Sequence, residues 1–355
     1  MIAAALFAAP VAAQTLRIAT YNTELSRSGP GVLARDIASG TDAQVRAVVQ
    51  VIARAAPDIL LLQNLDYDHA QAALTALAEA LAAQGQAYPY RFALQPNSGL
   101  RTGFDHDGDG TTDGPRDAQS YGEFTGQGGM ALLSRFPIAA DRVRDFSRLL
   151  WADLPRATLP MRQGRLFPDP ALYTVQRLSS TGHWDVPVLV GDATLHLLAF
   201  HAGPPVFDGA EDRNGLRNRD ELRLWSLYLD GALAEAPPTR FVLLGDTNLD
   251  PADSDGLRAT MAALLADPRL TDPQPRSAGG ADAANPGHSG DPALDTADFD
   301  DPAPGNLRLD YVLPAAGLTV AASGVVWPAP DEDFATVVAA ASRHHLVWVD
   351  LMLQR

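Results

Sequence analysis

Phe241-Val-Leu-Leu-Gly-Asp-Thr-Asn248 runs four apolar residues straight into a glycine, a carboxylate and an amide. An apolar run without alternation is the pattern of a strand buried on both faces. Asp246 and Asn248 then stand where that strand leaves the core. Working outward, the same arrangement recurs along the chain. Leu16–Tyr21 reads as a strand ending at Asn22, and Ile59–Leu62 leads to Asn64 and Asp66. Met130–Leu133 is a further strand, and Leu195–Phe200 opens into a loop at His201. Asp310 lies within a strand at 308–313, another strand follows at 319–326, and His344 precedes the last one at 346–352. Val45, Val48, Val49 and Ile52 fall at helical spacing within 41–56, ahead of Pro57. Residues 69–83 and 214–233 are also expected to be helical. Residues 95–128 and 271–306, rich in Gly, Asp and Pro, read as long surface loops. Helices and strands alternate, yet several successive strands look antiparallel. The expectation is an α/β fold: two packed mixed sheets with helices outside, a four-layer α/β/β/α sandwich. No repeat or linker divides residues 14–355, which read as one domain.

Composition narrows the chemistry. The 355 residues include no cysteine, which excludes thiol nucleophiles, disulfides and Cys-type metal sites. There is no lysine either, so all 27 basic residues are arginine, and P-loop and Schiff-base lysines are excluded. No G-x-S-x-G elbow occurs. A net charge of −16 disfavours a broad grip on nucleic acid. The stretch Met1–Ala13, ending in Val11-Ala12-Ala13, reads as a secretory signal without a charged start, which predicts a periplasmic or extracellular protein. No later run approaches the roughly 18 apolar residues of a membrane span, so no transmembrane anchor is expected. The protein reads as a monomer.

Carboxylates, amides and imidazoles placed just past buried strands can converge on the rim of a sandwich. Phosphoryl hydrolysis needs such a set: carboxylates to hold a metal or orient water, imidazoles to move protons, amides to bind phosphate oxygens. Taken singly, each residue has a plainer reading. Asn22 could cap a turn, Asp246 and Asn248 could form an Asx turn, and His344 or His345 could lie at the surface. His196 alternates with core residues and reads as structural. Trp225, Trp327 and Trp348 read as core.

Thr20-Tyr21-Asn22, Leu62-Gln63, Leu132–Ile138, Gly245-Asp246-Thr247-Asn248, Leu309-Asp310-Tyr311-Val312 and Ser342-Arg343-His344 occur in a fixed order. In that order the chain resembles the endonuclease/exonuclease/phosphatase (DNase I-like) superfamily over residues 15–353. The resemblance implies a hydrolase of phosphate mono- or diesters. In it, Asn22 lines the metal and phosphate site, and His201 is an acid or phosphate ligand. Asp246 positions the attacking water, Asn248 holds a phosphate oxygen, and Asp310 orients His344. Two positions depart from the family. Asn64 stands where the family has a metal-binding Glu, and Arg343 where it has an Asp. Three expectations follow. Asp66 or Asp310 takes over and a divalent Mg or Mn ion still binds. Alternatively, Arg343 grips phosphate in place of the metal. Or the protein binds a phosphate ligand without turnover. A hydrolase with an altered metal site ranks first and a non-catalytic binder second. The substrate itself is left open, because the loops at 95–128 and 271–306 would set it.

Two further groups stand out. Asp105-His-Asp-Gly-Asp-Gly-Thr-Thr-Asp113 carries the D-x-D-x-D-G run of calcium loops, with Gly110 at the sharp turn. Asp105, Asp107, Asp109, the Thr111 carbonyl and Asp113 alternate as oxygen ligands would, although Arg116 replaces the closing Glu. A structural Ca²⁺ is expected there, against a solvated acidic loop. Arg213, Asn214, Arg217 and Asn218 form a polar group after His201. Arg217 and Asn218 are candidate substrate-phosphate ligands, or part of a solvated helix start.

Overall fold

The computed structural model describes residues 14–233 and 236–353; the expected signal segment, 1–13, lies outside them. Among the described residues thirteen strands are formed: β1 Gln14–Leu25, β2 Ile59–Leu65, β3 Tyr90–Phe92, β4 Gly129–Ser134, β5 Arg144–Asp145, β6 Met161–Arg162, β7 Arg165–Leu166, β8 Gly182–Val190, β9 Ala193–His201, β10 Phe241–Asp246, β11 Asp310–Pro314, β12 Thr319–Val325 and β13 Val347–Leu353. The helices are α1 Val32–Ser39, α2 Ala43–Ala55, α3 Ala72–Ala83, α4 Arg213–Leu229, α5 Ala259–Leu265, α6 Ala278–Asp282 and α7 Ala335–Ala341. One sheet has the order β12-β13-β1-β2-β4-β3 and the other β11-β10-β9-β8-β5, while β6 and β7 form a separate hairpin. β1–β2 and β9–β10 are parallel and the other pairs antiparallel, so both large sheets are mixed.

Three apolar layers hold this together. Leu16, Ile18, Ile59 and Leu61 of the first sheet meet Val186, Leu197, Val242 and Leu244 of the second. On the outer face of the first sheet, Tyr21, Leu60 and Leu62 pack against Val48 and Ile52 of α2 and Leu77 of α3. On the outer face of the second, Leu198, Phe200 and Leu243 pack against Leu222 and Trp225 of α4. The result is the four-layer α/β/β/α sandwich that the strand pattern leads one to expect, with the DNase I-like architecture that the resemblance implies. Among the described residues no helix is long and apolar enough to cross a membrane.

Strand periodicity decides where the polar strand ends point, because successive side chains alternate between faces. Leu195, Leu197 and Ala199 face the space between the sheets, and His201 shares their parity. Val242 and Leu244 place Asp246 on the same face, and Val312 does so for Asp310. Asp246 is directly opposite His201 on one side and Asp310 on the other. Three polar groups therefore form a row across three adjacent strands. Gly245 makes that row close: its φ is 148°, and a Cβ there would lie 1.9 Å from the Phe200 carbonyl oxygen.

The structure departs from the sequence expectations at several places. The strand β8 was not foreseen, because His183, Asp185 and Pro187 interrupt its apolar residues. The third helix starts at Ala72 rather than 69. The segment 271–306 is more than a surface loop, since Thr296 and Ala297 are fully buried beside β11. His196 is structural as expected and bonds Asp185 at 2.6 Å. Of the tryptophans, Trp225 is fully buried, while Trp327 stacks on His345 and Trp348 lies under Arg17.

Candidate active site

The first sheet contributes through two irregularities at one level. Register shifts interrupt β1 between Asn22 and Leu25 and β2 between Gln63 and Leu65. Glu24 and Asn64 sit in these bulges with φ of 49° and 50°, and Asn248 has φ of 50° after β10. Asn tolerates this left-handed backbone, whereas Glu rarely adopts it. Bulges and such backbone conformations concentrate at functional sites. Here they turn Glu24 and Asn64 toward the ends of the second sheet.

All these side chains border one cavity of about 1030 Å³, lined by Asn22, Glu24, Asn64, His201, Asn248 and His344 among others. Directly behind this lining, Asp246 Oδ2 accepts from Asn22 Nδ2 at 2.8 Å and lies 3.5 Å from His201 Nε2. Asp246 Oδ1 accepts the Asn248 N–H at 2.8 Å, closing the Asx turn. Asp310 Oδ2 lies 2.8 Å from His344 Nδ1 and accepts from Thr296 Oγ1 at 2.9 Å. Thr181 Oγ1 is 3.4 Å from His201 Nδ1. Asp246 and Asp310 are fully buried, and both histidines are buried.

Burial is the largest influence on these groups. It pushes Asp246 above the usual carboxylate range, with the charge of Asp310 in the same direction. It holds His201 below its ordinary value, against the attraction of Asp246. Burial would also lower His344, but Asp310, by charge and hydrogen bond, and then Asp246 and Glu24 carry it up to about 9. Two histidines held in opposite directions, His344 up and His201 down, thus lie 3.9 and 3.5 Å from the same Asp246 oxygen.

The altered corner is organised differently. Asn64 Nδ2 donates to Asn22 Oδ1 at 2.9 Å, while Asn22 Nδ2 donates onward to Asp246, so the three side chains form a chain. Arg343 Nε donates to Glu24 Oε1 at 2.9 Å, and the Arg343 N–H to Glu24 Oε2 at 2.8 Å. Burial opposes ionisation of Glu24, yet the Arg343 hydrogen bonds hold it below the usual range. Glu24 was not foreseen; the signal available was Arg343 itself, a cation newly placed at a rim that needs a counter-charge. A hard divalent cation needs several free carboxylate oxygens, and this corner offers one carboxylate already bound to a guanidinium. It does not fit. Asp246, Asp310 and His344 do have the donor types, with ligand atoms within 4.8 Å of one another, and Asp310 Oδ1 is buried without a partner.

Other candidates sit elsewhere. Asp66 is 6% exposed and accepts the backbone N–H groups of Arg27 and Gly128 at 2.8 and 2.9 Å. It staples two loops and does not line the cleft. Asn218 is also corrected: its amide donates to the carbonyls of Gly203 and Thr247, both at 2.8 Å, so it supports the cleft from beneath. Arg217 lines the cavity while bonding the carbonyls of residues 177–179. In the acidic loop only Asp105, Asp107 and Asp109 converge. Thr111 bonds Asp109 through its own N–H and hydroxyl, and Asp113 is not part of the converging trio.

No curated protein matches the chain. Among solved structures, an endonuclease/exonuclease/phosphatase from Beutenbergia cavernae shares 20% identity with a TM-score of 0.52, covering 96% of this chain and 72% of the other. Sphingomyelinase C from Streptomyces griseocarneus shares 21% identity with a TM-score of 0.51, covering 95% and 99%. A family protein from Leptotrichia buccalis shares 16% identity with a TM-score of 0.51, covering 95% and 100%. At these identities the likeness is one of fold. The sequence pattern of the Endonuclease/Exonuclease/phosphatase family matches residues 19–344, a span that runs from β1 to His344 and takes in the whole floor of the cleft, and the chain belongs to that family.

Proposed function

We propose that this protein is a phosphoesterase that hydrolyses a phosphate mono- or diester by in-line attack of water. Members of its family are mostly phosphoester hydrolases and usually depend on a divalent metal. The observation that carries the reading is the His201–Asp246–Asp310 row, with His344 and Asn22 hydrogen-bonded onto it in one cleft. Asp246 orients the water and takes its proton as the water oxygen bonds to phosphorus. The bond to the leaving oxygen breaks, and that oxygen receives the proton of His344, which Asp310 holds in place. Asn22, Asn248 and His201 steady the phosphoryl oxygens. A divalent ion held by Asp246, Asp310 and His344 would supply Lewis-acid polarisation of a phosphoryl oxygen in place of the His344 proton, because a metal-bound imidazole cannot also donate it. Arg343 would take the place of the metal that the family's carboxylate corner holds and contact phosphate directly.

Turnover of bis-p-nitrophenyl phosphate, with and without EDTA and with added Mn²⁺, tests the reading. Turnover that disappears in Asp246→Asn supports it. Tight phosphate binding without turnover would instead establish the second reading, a non-catalytic phosphate-ligand binder, which the Arg343–Glu24 pairing favours. We also read the protein as exported, on the apolar Met1–Ala13 stretch; cell fractionation and the N-terminus of the mature protein check this. The Asp105–Asp109 loop is read as a calcium position on its three converging carboxylates.

A further inference from the structure

The helix α4 carries four arginines in two pairs, and the pairs are treated differently. Arg219 and Arg223 both reach Asp220, at 2.9 and 2.6 Å. Arg213 and Arg217, one helical turn apart, have no carboxylate within ion-pair distance among the described residues, and both line the cleft that holds Asn22, His201 and His344. Arg217 spends Nε on the Leu178 carbonyl at 2.8 Å and Nη2 on those of Arg177 and Ser179 at 3.0 and 2.9 Å. Arg213 Nη1 donates to the His106 carbonyl. Arg217 Nη1 and Arg213 Nε and Nη2 make no hydrogen bond among the described residues.

Among the described residues no acid pairs directly with either guanidinium, although the charge of Glu221 acts on Arg217 through space. Glu221, one turn beyond Arg217, gives its oxygens to Ser180 N, Ser180 Oγ and Gly203 N. Asp107, Asp208 and Glu211 act on Arg213 only through space. Burial lowers both guanidinium groups, Arg217 to about 10, and the charge of Arg213 lowers Arg217 further. Like charges one turn apart destabilise a helix, and desolvated cations without a partner cost more. Arg116 borders the same cavity, and its nearest carboxylate, Asp107, is 4.0 Å away.

We propose that Arg213 and Arg217, helped by Arg116, bind a second phosphoryl anion of the substrate. The first occupies the floor, so the inference rests on the hydrolase reading for that position. The spacing suits one molecule. Arg217 is tied to the Ser179 carbonyl, and Thr181, two residues on, has its hydroxyl 3.4 Å from His201 Nδ1. Two residues of chain span at most about 7 Å. The second anion is either a terminal phosphate or the next diester of a chain.

Calorimetric binding to the full chain carrying Asp246→Asn separates these sources. The probes are dTpdT with one phosphate, pdTpdT with an added terminal phosphate, and dTpdTpdT with an added diester. If Asp246→Asn lowers the melting temperature sharply, His201→Asn replaces it. At least one two-phosphate probe is expected to bind about tenfold tighter than dTpdT, and Arg213→Gln should abolish that difference with the melting temperature maintained. Equal affinity for all three probes, or a preference that survives Arg213→Gln, overturns the inference. The hydrolase reading fails separately, if wild-type protein binds the probes with the expected preference yet never cleaves a diester.

Discussion

Two groups of acids in this molecule meet the same geometric criterion. Asp246, Asp310 and His344, and Asp105, Asp107 and Asp109, each offer ligand atoms within 4.8 Å of one another. Their surroundings differ. The first group is fully buried or nearly so, and every member is fixed by a hydrogen bond from another strand or loop. The second lies at the surface in one short loop, where Asp105 accepts N–H groups from Gly108 and Gly110 of the same turn. In the first, burial and mutual charge drive His344 up to about 9. In the second, water competes with every interaction. Proximity of carboxylates does not by itself make a reactive site. Removal from water, with partners drawn from distant parts of the chain, does.

Substitutions in the two groups should separate by orders of magnitude. Asp246→Asn is expected to lower kcat/KM on bis-p-nitrophenyl phosphate by at least about a thousandfold. Asp109→Asn should leave it within about twofold. Comparable losses from both would erase the distinction.

A second expectation concerns stability and pH. Burial raises Glu221, beside the cleft, from 4.5 to about 7. A raised carboxyl stabilises the folded state fully below its unfolded value, near 4.5, and that contribution is lost as pH rises through about 7. The size is about 3 kcal/mol. Glu221→Gln should therefore flatten the fall in melting temperature between pH 4.5 and 7. An unchanged pH profile would show that the carboxyl does not titrate in this window.

The altered corner gives a smaller effect. Asn64→Glu with Arg343→Asp restores two carboxylates where Glu24 already provides one. Magnesium-dependent turnover should rise about tenfold. No gain would mean that the corner does not set metal dependence. The smallest effect belongs to the acidic loop. Millimolar calcium should raise the melting temperature by the equivalent of about 1 kcal/mol or less, and Asp107→Asn should abolish the rise. A larger shift would bring the two groups closer in kind than their burial suggests.

The apolar runs and their polar ends were legible in the sequence because burial on both faces leaves an unbroken signature and because side chains alternate. Leu195–Phe200 and Phe241–Leu244 announce both the core and the outlets His201 and Asp246. Other features depended on contacts that no local pattern carries. β8 contains a fully buried Asp185, tolerable only because Tyr228 and His196 bond it at 2.6 Å and Arg144 approaches at 3.4 Å. Glu24 became part of the site through Arg343, 319 residues away. Asn218 and Arg217 are sequence neighbours on α4 and both bond backbone carbonyls, yet only Arg217 borders the cavity, since adjacent helical positions point in different directions. The chain alone determined which residues leave the core and where along each strand they do so. Only tertiary packing decided which of them lose water together, because desolvation and charge coupling belong to the neighbourhood and not to the segment.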